Sequence, residues 1–411
     1  MIQASSFSVL RRLGKAFALE TEGLLLHPYP IIPLLNRIQR SHPVLSCGGY
    51  ILITKYADAR EVLEDDACFA QPYVKAGPDQ IVAMPRGPEF DSRLSAMNDA
   101  ANPSLVTLTP HIAQGWASNL VRDAGTGPID AVSQFSRLIP RDLIESFLGL
   151  TPFTREALTW TRSIFRDVFT NLTNNSMLAD EAIEARTNLN RLIEALIVKH
   201  RGASPASGVL GSMLKNASAQ PSGTPWPLSD INVRNIIGGL ACAMADTISS
   251  AIAHTLDYLL DHRGAMEGAT DAARDNNHAL LLQYVLEALR FSPEIPVMMR
   301  ICVKNRIIAP MTPRATLIPD GATVVIATSS AMFDPDQFKD PYAFRINRPK
   351  NEYLHFGLGF HRCFGEMLAG TIVPPAMGVL LLRNVRRAPG CGGRMRYDGA
   401  FPRRLMVCLD S

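Results

Sequence analysis

Ten residues, Phe356-Gly357-Leu358-Gly359-Phe360-His361-Arg362-Cys363-Phe364-Gly365, constrain this chain more than any other stretch. They precede an apolar run with helical spacing, so Cys363 stands at the mouth of a helix. Gly357, Gly359 and Gly365 allow backbone conformations and close approaches that a β-carbon forbids. Amides of a first helical turn and the helix dipole favour a thiolate, so Cys363 is expected to be held deprotonated. A thiolate on a glycine-bearing loop, flanked by Phe356 and Phe364, suits a flat apolar macrocycle whose metal takes a soft ligand. Haem iron meets that description.

Taken singly, any of the seven cysteines is a small buried hydrophobe by default. The pattern Phe-x-x-Gly-x-His-x-Cys-x-Gly alters that weighing, because it fixes four identities besides the cysteine. It resembles the cysteine-ligand loop of the cytochrome P450 family.

The chain has 411 residues, enough for a large core, and a net charge of +3, too small to point to nucleic acid. The cysteines are odd in number and no Cys-x-x-Cys pair occurs, which speaks against structural zinc and a disulfide framework. A reducing compartment, the cytoplasm, is expected. Residues 1–39 read as an N-terminal segment without a transmembrane helix, and no apolar stretch of spanning length is expected anywhere. Residues 40–411 then form one domain.

In chain order, Gly49–Thr54 has strand composition and Tyr56–Glu64 reads as a short helix. Residues 70–105 are rich in proline and glycine and read as a surface loop or a pocket cover. Ile129–His200 is helical in pattern. Ser229 or Asp230 can cap a long helix to about His262. Its middle places Asp246 and Thr247 on an apolar stretch, where an unpaired carboxylate is costly. A salt-bridged Asp and a Thr bonded back to a carbonyl would satisfy a plain core helix equally well. Ala279–Phe291 reads as an apolar helix ended by Ser292-Pro293. On it Glu287 and Arg290, at i and i+3, share a face, a common surface arrangement. After Cys363 the helix is expected to kink or restart at Pro374-Pro375. The arginines of the tail, Arg383, Arg386 and Arg387 among them, form either a solvated surface or a docking face.

The resemblance to the cytochrome P450 family extends to these segments, and what it implies is specific. The fold is mainly α with a small β region, haem b lying between the long helix and the cysteine loop. Cys363 is the axial metal ligand, and Phe356, Gly357 and Gly365 shape its loop. His361, Arg300 and Arg93 neutralise the propionates. Arg93 falls one residue early for the usual His-x-x-x-Arg pair, whose histidine position is Phe90. Asp246 and Thr247 match the acid–alcohol pair of the oxygen-binding helix, with Asp246 feeding protons and Thr247 holding a water. Met244 stands where the family has a glycine and is expected to crowd the distal side. Ala243, Met244, Ile295, Pro296, Val297, Met298 and Phe401 line the substrate pocket. Glu287, Arg290 and Arg348 form a structural network.

The implied reaction inserts one oxygen atom from O2 into a hydrophobic small molecule. Electrons come from a separate ferredoxin-type donor, because the chain carries no flavin or iron–sulfur motif. A monomer is expected. Peroxide-dependent or O2-independent chemistry at the same site is the alternative, and a haem sensor or carrier the third.

Overall fold

The computed structural model describes residues 26, 28–201 and 207–410. Most of the segment before residue 40 lies outside the described residues. The boundary expected at residue 39/40 falls inside a helix, Pro28–Ser41. Gln39 of that helix donates to the carbonyl oxygens of Thr54 (2.6 Å) and Ser330 (2.8 Å), so the helix belongs to the main body.

The core is built on the 32-residue helix Asp230–Asp261. Ser229 caps it: its Oγ accepts from the Asn232 amide while Asn232 Oδ1 accepts from the Ser229 amide. Among the described residues this is the one helix long and apolar enough to cross a bilayer, which corrects the expectation that no such stretch exists. Its apolar window is 78% buried inside the protein, so packing rather than lipid accounts for its composition. Helices Arg155–Phe165, Ser176–Arg201, His278–Phe291 and Glu366–Leu381 pack against it.

The main sheet has five strands in the order Val44–Cys47, Tyr50–Ile53, Thr323–Ile326, Met298–Cys302, Phe69–Ala70. Tyr50–Ile53 runs parallel to Thr323–Ile326, and the other pairings are antiparallel. Two-residue alternation buries Ile51 and Ile53 on one face, in a second apolar cluster that includes Tyr56, Val62 and Phe338. Residues 70–105 are not all loop. Helix Pro88–Ala100 occupies part of the span, with proline in its first turn, where the missing N–H is no loss.

The helix does not restart at Pro374-Pro375. Glu366–Leu381 is one element with both prolines buried, and it packs along Pro103–Ala124. Thr371 Oγ1 bonds the Leu368 carbonyl (3.0 Å) and lies 2.7 Å from Thr109 Oγ1 on that neighbour. Tertiary packing therefore offsets the two amide bonds the prolines cannot make.

Candidate active site

The cysteine loop owes its shape to two positive-φ glycines. Gly357 has φ 66°, and a Cβ there would sit 3.5 Å from Met298 Sδ. Gly359 has φ 71°, and its Cβ would lie 2.7 Å from the Leu63 carbonyl oxygen and 2.9 Å from Glu64 Cα. Those are backbone atoms of the helix Tyr56–Glu64 and cannot step aside. Gly359→Ala is expected to cost about 1–3 kcal/mol. Gly115→Ala, on an exposed and open helix face, should be neutral or stabilising by up to about 1 kcal/mol. Thermal melts of the two variants make the comparison.

Gly365 has ordinary φ, and a Cβ there would rest 3.6 Å from Cys363 Sγ, so glycine leaves the sulfur room. The Cys363 amide donates to the Phe356 carbonyl at 2.9 Å, closing the loop. Cys363 opens onto a cavity of about 950 Å³. Burial pushes its thiol up, while the amides of Gly365 and Glu366 pull the other way and lose. Against that desolvation, the metal of a haem-thiolate site would hold the sulfur deprotonated.

Across the cavity the long helix presents Ala243, Met244, Asp246 and Thr247. Thr247 Oγ1 donates to the Ala243 carbonyl. Asp246 is buried and paired with Arg162 of the helix Arg155–Phe165, whose Nε lies 2.7 Å from Oδ1. Its Oδ2 is buried without a partner. Met244 is only 7% exposed and joins the apolar core, so it crowds the distal side less than expected. Ile295, Pro296, Val297, Met298 and Phe401 also line the cavity. Arg162 and Arg166 stack over the Phe401 ring, 5.0 and 5.1 Å from its centroid.

Cationic groups gather at the edge. Arg300 is buried, bonded to Gln71 Oε1 (3.0 Å) and the Met299 carbonyl (2.9 Å), with no carboxylate partner among the described residues. His361 lies near enough that burial first, then Arg300, push its imidazole down to about 4. Two carboxylates arriving here would neutralise Arg300 and accept from the neutral His361 imidazole, so a macrocycle bearing propionates fits this edge and its metal fits Cys363.

Arg93 is a correction. It does not line the cavity. From the helix Pro88–Ala100 it turns away and donates to the carbonyls of Trp226 (3.0 Å) and Pro227 (3.3 Å), with Glu89 beside it. Phe90 instead packs on Phe360, ring centroids 4.1 Å apart, and edge-on to His361. Three of the tail arginines are paired: Arg383 with the Asp410 carbonyl, Arg386 with the Asp410 carboxylate, Arg387 with Asp257 and Asp261.

Glu287 and Arg290 form no surface pair; both are fully buried. Arg290 Nη2 and Nε reach Glu287 Oε1 and Oε2 at 2.8 and 3.0 Å. The carboxylate also accepts from the Arg345 amide (2.9 Å), Arg348 Nε (3.2 Å) and Tyr353 OH (2.8 Å). Burial would raise its pKa, but Arg290 and these donors prevail and hold it below the usual range. Sequence reading found Arg348 and missed Tyr353, Arg162 and Glu294.

A sequence model described as Cytochrome P450 matches residues 159–384, more than half of the chain. The chain belongs to the cytochrome P450 family. Cytochrome P450 141 of Mycobacterium tuberculosis is 24% identical over 350 residues, 80% of this chain and 82% of that protein. Cytochrome P450 CYP107DY1 of Priestia megaterium is 26% identical over 69% of this chain and 65% of its own length. Psi-producing oxygenase A of Aspergillus fumigatus is 30% identical over 43% of this chain, which spans only 16% of that longer protein. Among solved structures, CYP109E1 from Bacillus megaterium in complex with testosterone superposes with TM-score 0.79 at 19% identity, covering 93% of this chain and 99% of that one. The open cytochrome P450 EryK of S. erythraea gives 0.78 at 21%, covering 92% and 95%. The mainly α fold with small sheets is thus that of the P450s, and the family is one of haem-thiolate monooxygenases.

Proposed function

We propose that this P450 inserts one oxygen atom from O2 into a hydrophobic small molecule, with electrons from a separate ferredoxin-type donor in the cytoplasm. The observation that carries the reading is the cavity itself: Cys363 on one wall faces Thr247 and Asp246 on the other, with Arg300 and His361 at the edge. Haem b held there would supply the redox-active iron; Cys363 Sγ would ligate it, and Arg300 and His361 would hold its propionates. The apolar walls, Ile295 to Met298 with Phe401, exclude water and hold the substrate by burial. Thr247 Oγ1, once it leaves the Ala243 carbonyl, holds a water at the reacting face. Asp246 Oδ2 passes the proton inward, with Arg162 fixing the other oxygen.

One observation favours a peroxide-driven reaction instead. Both polar groups are engaged at rest, Asp246 with Arg162 and Thr247 with a carbonyl. Peroxide already carries the protons this pair would deliver. Thr247→Ala separates the readings. If O2 is the oxidant, turnover with NADPH, ferredoxin reductase and a surrogate ferredoxin should fall by roughly 100-fold, within the usual range for a lost proton-transfer group. Turnover with peroxide should persist. Unchanged O2-driven turnover would rule the pair out.

A further inference from the structure

Glu294 has no task in the mechanism above. It lies between helix His278–Phe291 and strand Met298–Cys302 and lines the cavity. Its Oε2 is buried and meets no donor, while the side chain as a whole is half-buried, so that a ligand would meet the other oxygen, Oε1. Burial alone, with no cation near enough to counter it, pushes the carboxyl up to about 8. The other carboxylates on these walls each have a partner: Asp79 accepts from Asn232 and Asn235, Glu366 from Arg362, and Asp246 from Arg162 through Oδ1, its Oδ2 alone being unmet. Glu294 is flanked in sequence by Pro293 and by Ile295-Pro296-Val297, which offer it no side-chain donor.

A buried acid without a partner destabilises the chain that keeps it, unless something from outside completes the pairing. We propose that Glu294 is a specificity determinant for a basic nitrogen, so that the substrate carries an ammonium group on an otherwise apolar skeleton. An alcohol would satisfy one oxygen with one hydrogen bond. A cation also draws out the charged form that burial disfavours, whereas an anion could only accept from the neutral acid and would keep it uncharged. The inference rests on the cavity being the substrate site, as in the functional reading above.

The test uses the haem-loaded protein and Glu294→Gln, titrated calorimetrically with three probe series of eight to fourteen carbons. Alkyltrimethylammonium ions carry the charge but have no lone pair with which to ligate iron; alkan-1-ols and alkanoates are the neutral and anionic counterparts. Wild type should bind the ammonium series tightest. Glu294→Gln should weaken that binding tenfold or more and leave the alcohols within about twofold. Equal ammonium affinity in the two proteins, a preference for alcohol or carboxylate, or no ammonium binding overturns the proposal. The reduced carbon monoxide spectrum separates the two levels. A wild type without the thiolate-type band sinks the functional reading and this inference with it. A retained band with unmoved affinities sinks the inference alone.

Discussion

Cys363→Ser should abolish the thiolate-type band of the reduced carbon monoxide complex and take oxygenation to background, while the variant still folds. The hydroxyl replaces a sulfur that lines the cavity. The backbone bonds of residue 363, from its amide to the Phe356 carbonyl and to its carbonyl from the Glu366 amide, survive. Circular dichroism and a thermal melt should therefore stay close to wild type when both proteins lack cofactor. The effect is confined to ligation because serine remains protonated where a metal-bound thiol does not. A Cys363→Ser protein with an unaltered spectrum would mean that another side chain is the ligand.

The second large effect belongs to Glu287. Glu287→Ala strips Arg290 of its carboxylate inside a fully buried site and leaves the Tyr353 hydroxyl and Arg348 without their acceptor. Removing one member of such a pair costs about 3–5 kcal/mol, most of it from the stranded charge. The double variant Glu287→Ala with Arg290→Met should recover part of that loss, which a denaturation series can read. The same carboxylate sets an acid limit. Its folded pKa is depressed, so its contribution is complete above the ordinary value of 4.5 and is lost as pH falls through the lower folded value. Melting temperature should thus drop more steeply below about pH 4 in wild type than in Glu287→Gln, which lacks the titrating group.

Chemistry confined to a short run of residues was legible beforehand. The Cys363 loop could be read because its glycines, aromatics and thiol each answer a local demand. Glu287 and Arg290 could be read because i,i+3 spacing is a property of one helix. What escaped depended on distance or on direction. Arg162 meets Asp246 across 84 positions, and nothing in either segment announces the other. Arg93 has the right residue type almost at the right place, but its helix aims it at the Trp226 carbonyl. Glu294, one acid between prolines, has no periodicity to betray it. The state of the thiol rests on two opposed effects, burial that raises it and the Gly365 and Glu366 amides that lower it, and on the metal that would hold it deprotonated. Pro374-Pro375 read as a place to restart until the neighbouring helix Pro103–Ala124 was in place.

The two sides of the cavity differ in stiffness. Residues 293–298 are stretched between a helix locked by Arg290 and a strand paired on both sides, and the Pro296 carbonyl is held by the Ser329 amide (3.0 Å) and the Thr328 hydroxyl (3.3 Å). Residues 71–87 contain little more than the short turn Val74–Ala76, tied down through Arg186 and Asp79. The lining is therefore held in two ways: residues 293–298 by the backbone of a buried helix and a doubly paired strand, and residues 71–87 mainly by polar side chains reaching in from elsewhere.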